Sequence, residues 1–296
     1  MKIIVADHAG FCFGVRNAID MALHSRKDGG VSTLGELIHN SRAIGELERQ
    51  GVYAKNEMGD IDTCQVVIRA HGASPEVFHS LTALGYKVID ATCPFVKRIQ
   101  READKRRGQG VPIIIIGNKS HPEVAATYGW AGEGAYIVDS LADVEKLPEL
   151  DEACILGQTT YSVSKRDELL EAISKRIRAP IVFNFICATT GARQKEAEEI
   201  SKKCDAVLVI GDEKSANTKN LVLVAKRHCE NVTRIMSKEE IPLDKRDETG
   251  KKDEKDEKDK KDKKSKIRQD MTVGILAGAS TPPEAIKEVV DFLENI

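Results

Sequence analysis

The sequence has few aromatic residues, no long apolar run and almost no net charge, and each shortage removes a class of function. Phe, Trp and Tyr make up 4% of the 296 residues, too little ring surface for stacking on nucleobases. A formal charge of −2 gives no electrostatic reason to bind nucleic acid. The longest apolar run, Val111 to Ile116, is far too short to cross a bilayer, and the chain opens on a strand-like Lys2-Ile3-Ile4-Val5 with no leader. A cytosolic protein without membrane or nucleic-acid partners is the expectation. The phosphate-loop pattern GxxxxGK[ST] and the dinucleotide turn GxGxxG are both missing, which disfavours a nucleotide kinase or a nicotinamide enzyme. The seven cysteines are odd in number and lack an export signal. Reduced thiols, metal ligands or buried apolar cysteines are therefore expected in place of a disulfide framework.

What is present is first an uneven charge. Charged residues are 31% of the chain, but between Asp244 and Lys266, 20 of 23 residues are charged, 11 basic and 9 acidic. Outside that tract the composition is that of an ordinary soluble protein. Mixed sign and nothing to bury predict a solvated, disordered insertion at 244–266, with a docking arm as the functional alternative.

Elsewhere short apolar runs alternate with longer amphipathic stretches, the pattern of an α/β protein with mostly parallel, buried strands. Ten strands are predicted between Lys2 and Leu276, with helices between them. Pro75, Pro94, Pro122 and Pro283 stand where a helix would begin. Cys64, Cys154 and Cys204 open apolar runs and read as small hydrophobes of the core or its margin. Cys12, Cys93 and Cys187 instead follow the ends of such runs and lie 81 and 94 residues apart. Spacing near a third of the chain suggests three α/β modules that each donate one thiol, although no strong internal repeat supports it. Ligands gather beyond the carboxyl ends of strands in open α/β sheets, so three modules facing inward would bring the thiols together.

Five strand ends run into donor-rich turns: 71–74, 117–123, 158–162, 211–218 and 277–282. Each places a small residue and then a hydroxyl, amide or imidazole at a helix N-terminus, where free N–H groups and the positive dipole end suit phosphate. Any one could be a simple cap; five, with His39, His71 and His121 nearby, favour a small anionic ligand such as a diphosphate. In His121-Pro122-Glu123 the carboxyl is either a general acid in a dry site or a first-turn glutamate answering the dipole. Three thiols from three modules do not match a structural zinc site. Soft thiolates suit zinc, copper(I) or iron–sulfur centres, and a cubane with three cysteine ligands keeps one iron open for substrate.

Taken together, Gly10-Phe11-Cys12-Phe13-Gly14-Val15, Gly35 to Asn40, Arg69-Ala70-His71-Gly72, Asp90 to Pro94, His121 to Val124, Gln158-Thr159-Thr160, Ile186-Cys187 with Thr190 and Arg193-Gln194, Lys214 to Thr218 and Ala277 to Pro282 resemble the 4-hydroxy-3-methylbut-2-enyl diphosphate reductase family of the methylerythritol phosphate route to isoprenoids. The match spans nearly the whole chain. The resemblance implies three α/β modules, at 14–93, 94–184 and 185–296 plus 1–13, arranged pseudo-three-fold around a central cavity. It implies a [4Fe–4S] cluster on Cys12, Cys93 and Cys187 with one open iron, and a diphosphate held by His39, His71, His121, Ser215, Asn217 and Ser280. Glu123 and Thr159 would relay protons, Thr159 also touching substrate, and a reduced ferredoxin or flavodoxin would donate the electrons. The implied reaction is reductive removal of the allylic hydroxyl, giving isopentenyl and dimethylallyl diphosphate. A cluster-dependent hydro-lyase and a non-catalytic iron–sulfur sensor are the alternatives. The family usually has a second serine where this chain has Ala216, which predicts weaker substrate binding by one lost hydrogen bond, and the charged tract has no role in the family pattern.

Overall fold

The computed structural model describes residues 1–26, 30–244 and 266–296. The apolar runs form short strands, including Ile113–Ile116 and Ala206–Ile210, both buried along their whole length, as strands covered on two faces must be. In chain order the described elements are β1 (Lys2–Val5), α1 (Phe13–Ser25), β2 (Val31–Leu34), α2 (Ser41–Arg49), β3 (Val52–Lys55), β4 (Gln65–Ile68), α3 (Pro75–Ala83), β5 (Lys87–Asp90), α4 (Pro94–Gly108), β6 (Ile113–Ile116) and α5 (Pro122–Ala131). There follow β7 (Tyr136–Val138), α6 (Leu141–Glu145), β8 (Leu150–Gly157), α7 (Val163–Ser174), β9 (Ile177–Val182), α8 (Ala188–Ser201), β10 (Ala206–Ile210), α9 (Ala216–Ala225), β11 (Val232–Ile235), β12 (Thr272–Ala277) and α10 (Pro283–Glu294). All four helix-opening prolines stand at the first helical position, where the missing N–H costs nothing.

The strands make three four-stranded sheets, ordered β3-β2-β4-β5, β7-β6-β8-β9 and β11-β10-β12-β1, and every pairing is parallel. The expected three α/β modules with parallel sheets are present. Their order is the same each time once β1 is counted as the fourth strand of the last sheet. Two compact units contain them. One comprises Met1–Phe11 with Ala192–Ile296 and holds the third sheet; the other, Cys12–Gly191, holds the first two. In the Cys12–Gly191 unit a core centred on Ile114, Ile115, Ile155, Leu156 and Phe185 packs the second sheet, and Val66, Ile68 and Leu81 pack the first. In the other unit Leu208, Ile210 and Ile275 face one side of the sheet, and Val207, Val209 and Leu276 face the other.

Several expectations change. Strands β2 and β3 were missed because Val31-Ser32-Thr33-Leu34 and Val52-Tyr53-Ala54-Lys55 lack an unbroken apolar run; pairing with β4 and with each other makes them strands. Strand β9 begins at Ile177 and accommodates Pro180 because it is an edge strand. Cys154 is buried as expected, but Cys64 is exposed, since β4 starts one residue beyond it. Of the 244–266 insertion, residues 245–265 lie outside the described residues; the flanking Leu243 and Ile267 pair in a parallel bridge.

Candidate active site

The shared strand order creates the same chemical opportunity three times. Where consecutive strands step to opposite sides, between β2 and β4, β6 and β8, and β10 and β12, the helices diverge and leave a crevice at the strands' carboxyl ends. The turns after these six inner strands carry His39, His71, His121, Thr159, the Ser215/Asn217 pair and Ser280. The edge strands β5, β9 and β1 lead instead to Cys93, Cys187 and Cys12.

In the Cys12–Gly191 unit the three imidazoles converge. Ring centroids are 4.4 Å apart for His39 and His71, 5.8 Å for His39 and His121, and 5.4 Å for His71 and His121. One nitrogen from each lies within 4.8 Å of the others. His39 follows β2 through Gly35, whose φ of +76° a side chain would strain, and the Arg69 guanidinium packs on that bare Cα. Asn40 then caps α2, its Oδ1 accepting the Ala43 N–H at 3.0 Å. Burial first, then the neighbouring His39, His121 and Arg69, hold the His71 pKa well below the usual imidazole range, and its Nδ1 is buried without a partner. His121 caps α5: its Nδ1 accepts the Glu123 N–H at 3.2 Å. That bond assigns the proton of the neutral ring to Nε2. An N–H donor of this kind suits an anion; a metal would need the lone pair.

Glu123 is 2% exposed. Its Oε1 accepts the Thr159 N–H at 2.6 Å and its Oε2 accepts the Thr159 hydroxyl at 3.0 Å. Burial pushes its pKa up to about 7, against the downward pull of those two bonds, so the carboxyl can hold or release a proton near neutrality. A surface first-turn glutamate would have no such shift. Thr159 is tied onward, its carbonyl accepting the Cys187 N–H at 3.2 Å. Gln158, part of the Gln158-Thr159-Thr160 motif, has no role assigned from the sequence. Its buried carboxamide accepts the Asn118 N–H at 3.2 Å and donates to Thr160 Oγ at 2.9 Å, linking the turn before His121 to the turn containing Thr159.

Cys12 and Cys93 occupy the positions before α1 and α4, and neither caps its helix through sulfur. Cys187 stands one residue before α8, its sulfur accepting the Thr190 N–H at 3.4 Å. Gly14, from the motif that contains Cys12, lies beside both of the first two thiols. A Cβ there would lie 2.6 Å from Cys93 Sγ and 4.0 Å from Cys12 Sγ. Burial raises the Cys93 thiol to about 11, against the downward pull of the Phe95 and Val96 N–H groups at the start of α4, with Cys12 and Glu123 adding smaller upward contributions. Among the described residues no three cysteine sulfurs approach within 4.8 Å of one another. They do not form a compact single-ion site; a four-iron cube holds its ligands at separate corners and tolerates wider spacing. Three thiol donors are of the soft kind that iron–sulfur centres take.

The Met1–Phe11/Ala192–Ile296 unit has its own donor set. Ser215 caps α9 by accepting the Thr218 N–H at 3.3 Å. Asn217 is 2% exposed with both amide atoms unpartnered, an arrangement that costs stability unless a ligand supplies the bonds. Ser280 is buried in the turn after β12, where the Thr281 hydroxyl and the Gly278 N–H both donate to the Ile210 carbonyl. Ala216, the first residue of α9, presents a methyl group at the turn after β10.

No described helix is long and apolar enough to span a membrane. A family model described as LytB protein matches residues 3–294. The 4-hydroxy-3-methylbut-2-enyl diphosphate reductase of Caldanaerobacter subterraneus subsp. tengcongensis is 35% identical over 306 residues, covering 100% of this chain and 98% of that protein. The protein of the same name from Alkaliphilus oremlandii is 36% identical over 300 residues and covers 100% of both. A solved structure of (E)-4-hydroxy-3-methyl-but-2-enyl diphosphate reductase, the terminal enzyme of the non-mevalonate pathway, superposes with a TM-score of 0.69 at 32% identity over 100% of this chain and 99% of that one. The E-1-hydroxy-2-methyl-but-2-enyl-4-diphosphate reductase from Plasmodium falciparum gives a TM-score of 0.83 at 25% identity, covering 99% and 88%. With matches of this length and identity across all three sheets, the chain belongs to the LytB family.

Proposed function

We propose that this protein is a 4-hydroxy-3-methylbut-2-enyl diphosphate reductase of the isoprenoid route, removing the allylic hydroxyl by two one-electron reductions and protonation. The observation that carries the reading is Glu123: a buried carboxyl with a pKa near 7, held at both oxygens by Thr159, in the same unit as three clustered imidazoles and three helix-opening cysteines. A [4Fe–4S] cluster on Cys12, Cys93 and Cys187 with one open iron would supply Lewis acidity toward the allylic oxygen and single electrons.

The protein's own groups do the rest. The diphosphate takes hydrogen bonds from His39, His71 and His121, with His121 fixed as an Nε2–H donor. A dianionic group would offset the cost of clustering three imidazoles and would raise their proton affinity. Ser215, Asn217 and Ser280 keep the substrate-binding role that the family resemblance gives them, supported in the Asn217 case by its unpartnered amide. Protonated Glu123 passes its proton through the Thr159 hydroxyl to the departing oxygen, which leaves as water. Thr159 also positions substrate, and its link to Cys187 holds the relay in register with the metal ligand. Protonation of the allylic carbon frame at either end yields isopentenyl or dimethylallyl diphosphate. We assign the modules to 14–93, 94–184 and 185–296 with 1–13, the division supported by the repeated strand order, and the enzyme to the cytosol with a reduced ferredoxin or flavodoxin as donor.

The deciding experiment is an anaerobic assay of the purified protein with the allylic diphosphate and a one-electron reductant. Turnover that depends on reductant, with water and the two isomeric diphosphates as products, is expected. Dehydration without reductant would assign a hydro-lyase, and a protein that binds no iron would overturn the reading.

A further inference from the structure

Two of the proposed cluster ligands are followed by the same exposed pattern. Cys12 precedes Phe13-Gly14-Val15-Arg16, and Cys93-Pro94 precedes Phe95-Val96-Lys97-Arg98. Phe13 is 65% exposed and Phe95 38%, unusual for rings in a chain with so few aromatics. Arg16 and Arg98 are exposed one turn further along the same helix faces. The helix ends themselves are close, because Gly14 lies against the Cys93 sulfur. Arg98 extends the face toward the third cysteine: its guanidinium stands 5.0 Å over the Phe183 ring and donates to the Asn184 carbonyl at 2.9 Å, just before Cys187.

The charge on this face is one-sided. Arg98, Arg101 and Lys105 form an exposed stripe along α4, while the acids of that helix are occupied, Glu102 with Arg106 and Asp104 with Arg107. Among the described residues Arg16, Arg98, Arg101 and Lys105 have no carboxylate within ion-pair distance, and neither α1 nor α4 has an acidic residue in its first turn. Asp20 on α1 is the nearest exposed acid along that helix and lies a turn beyond Arg16. Arg16 and Arg98 stand near the positive ends of α1 and α4, where cations are disfavoured, while Lys105 lies in the last turn of α4, where the dipole favours it. In a chain whose net charge is −2, such a patch is complementary to a negatively charged partner. Apolar rings ringed by cations are the composition of a protein interface.

We infer that Phe13, Phe95, Arg16, Arg98, Arg101 and Lys105 form the docking face for an acidic protein that carries one electron at a time. The inference rests on the reductive reading of the site. Each turnover consumes two electrons and two protons, breaks one C–O bond and releases one water. Two successive encounters each oxidise one carrier by one electron, and the face brings that carrier beside the cysteines through which electrons must enter.

The test compares the cluster-loaded wild type with an Arg16→Glu/Arg101→Glu/Lys105→Glu triple variant and with Phe13→Ser. None of these side chains makes a hydrogen bond or ion pair among the described residues, and all are exposed. An acidic plant-type ferredoxin with a single [2Fe–2S] cluster, a one-electron carrier, is the probe. Its Kd from calorimetry and its kcat/KM as donor are measured at low and high salt, beside turnover driven by reduced methyl viologen, which needs no docking. The triple variant is expected to weaken binding and lower ferredoxin kcat/KM at least tenfold at low salt, to flatten the salt dependence, and to keep viologen-driven turnover within twofold. Phe13→Ser should weaken binding without changing the salt slope. Unchanged ferredoxin binding in the variants, no binding to the wild type, or equal losses with both reductants would overturn the docking face. A wild type inactive with viologen would overturn the reductase reading alone, since the binding isotherms still decide the face.

Discussion

Exchanging Glu123 for Gln changes one buried proton and little else. Gln can keep both contacts to Thr159, its Oε1 accepting the N–H and its Nε2 donating to a hydroxyl that rotates to receive it. The native carboxyl titrates at about 7 against an ordinary value of 4.5, and each pH unit of such a shift is worth about 1.4 kcal/mol. Between these values the folded protein keeps a proton that the unfolded chain has released, so stability falls as pH rises through this window. The loss attributable to Glu123 is on the order of 3 kcal/mol, complete above pH 7 and absent below 4.5. Gln has no charge to bury. The variant should match the wild type near pH 4.5 and exceed its stability by about 3 kcal/mol at pH 8, measured by urea unfolding of both proteins in the same anaerobic, iron-loaded state. Turnover should move the opposite way. Removing a positioned general acid costs about 10²- to 10⁴-fold, or roughly 3–5 kcal/mol of barrier, while iron content and substrate affinity remain. Wild-type rate should decline as pH rises through about 7, and the residual rate of the variant should lack that limb. Wild-type turnover by Glu123→Gln, or a stability difference equal at pH 5 and pH 8, would refute the assignment of a buried proton donor.

The remaining expectations concern the ligands and their surroundings. Cys93→Ser should purify anaerobically with substoichiometric iron and little turnover; full activity would remove it from the cluster. Gly14→Ala puts a methyl 2.6 Å from the Cys93 sulfur, so iron content should fall well below wild type while the circular dichroism of the fold persists. Ala216→Ser restores a hydroxyl worth about 0.5–1.5 kcal/mol and should lower substrate KM by about 2- to 10-fold with little change in kcat; an unchanged or higher KM would mean that this turn does not meet substrate. Replacing residues 245–265 by a Gly-Ser linker of about eight residues, which suffices because Leu243 and Ile267 are already paired, should leave turnover unchanged. A large loss would give the charged tract a functional role.

The legible part of this protein was its local chemistry. Prolines with a fixed φ and no N–H suit the first helical position, and Pro75, Pro94, Pro122 and Pro283 all occupy it. Ile113–Ile116 and Ala206–Ile210 are apolar throughout, as short strands covered on both faces are. Strands β2 and β3 were illegible because Ser32, Thr33, Tyr53 and Lys55 break the apolar pattern; their conformation comes from the ladder with β4. Cys64 shows the opposite error, since an apolar run after it does not bury the residue before it.

The sequence by itself determined which residue types could do chemistry: imidazoles, hydroxyls and thiols placed one turn beyond strand ends, where dipoles and free N–H groups are a consequence of helix geometry. It could not determine how His39, His71 and His121 come within 4.8 Å of one another, because residues far apart in the chain meet only through sheet order. Nor could it choose between Glu123 as a dipole-facing surface residue and Glu123 as an acid. That choice depends on desolvation, and desolvation is a property of what packs around a side chain. The strand order repeated in all three sheets, without a matching repeat in sequence, decides it, by setting the buried crevice between β6 and β8 where Glu123 meets Thr159.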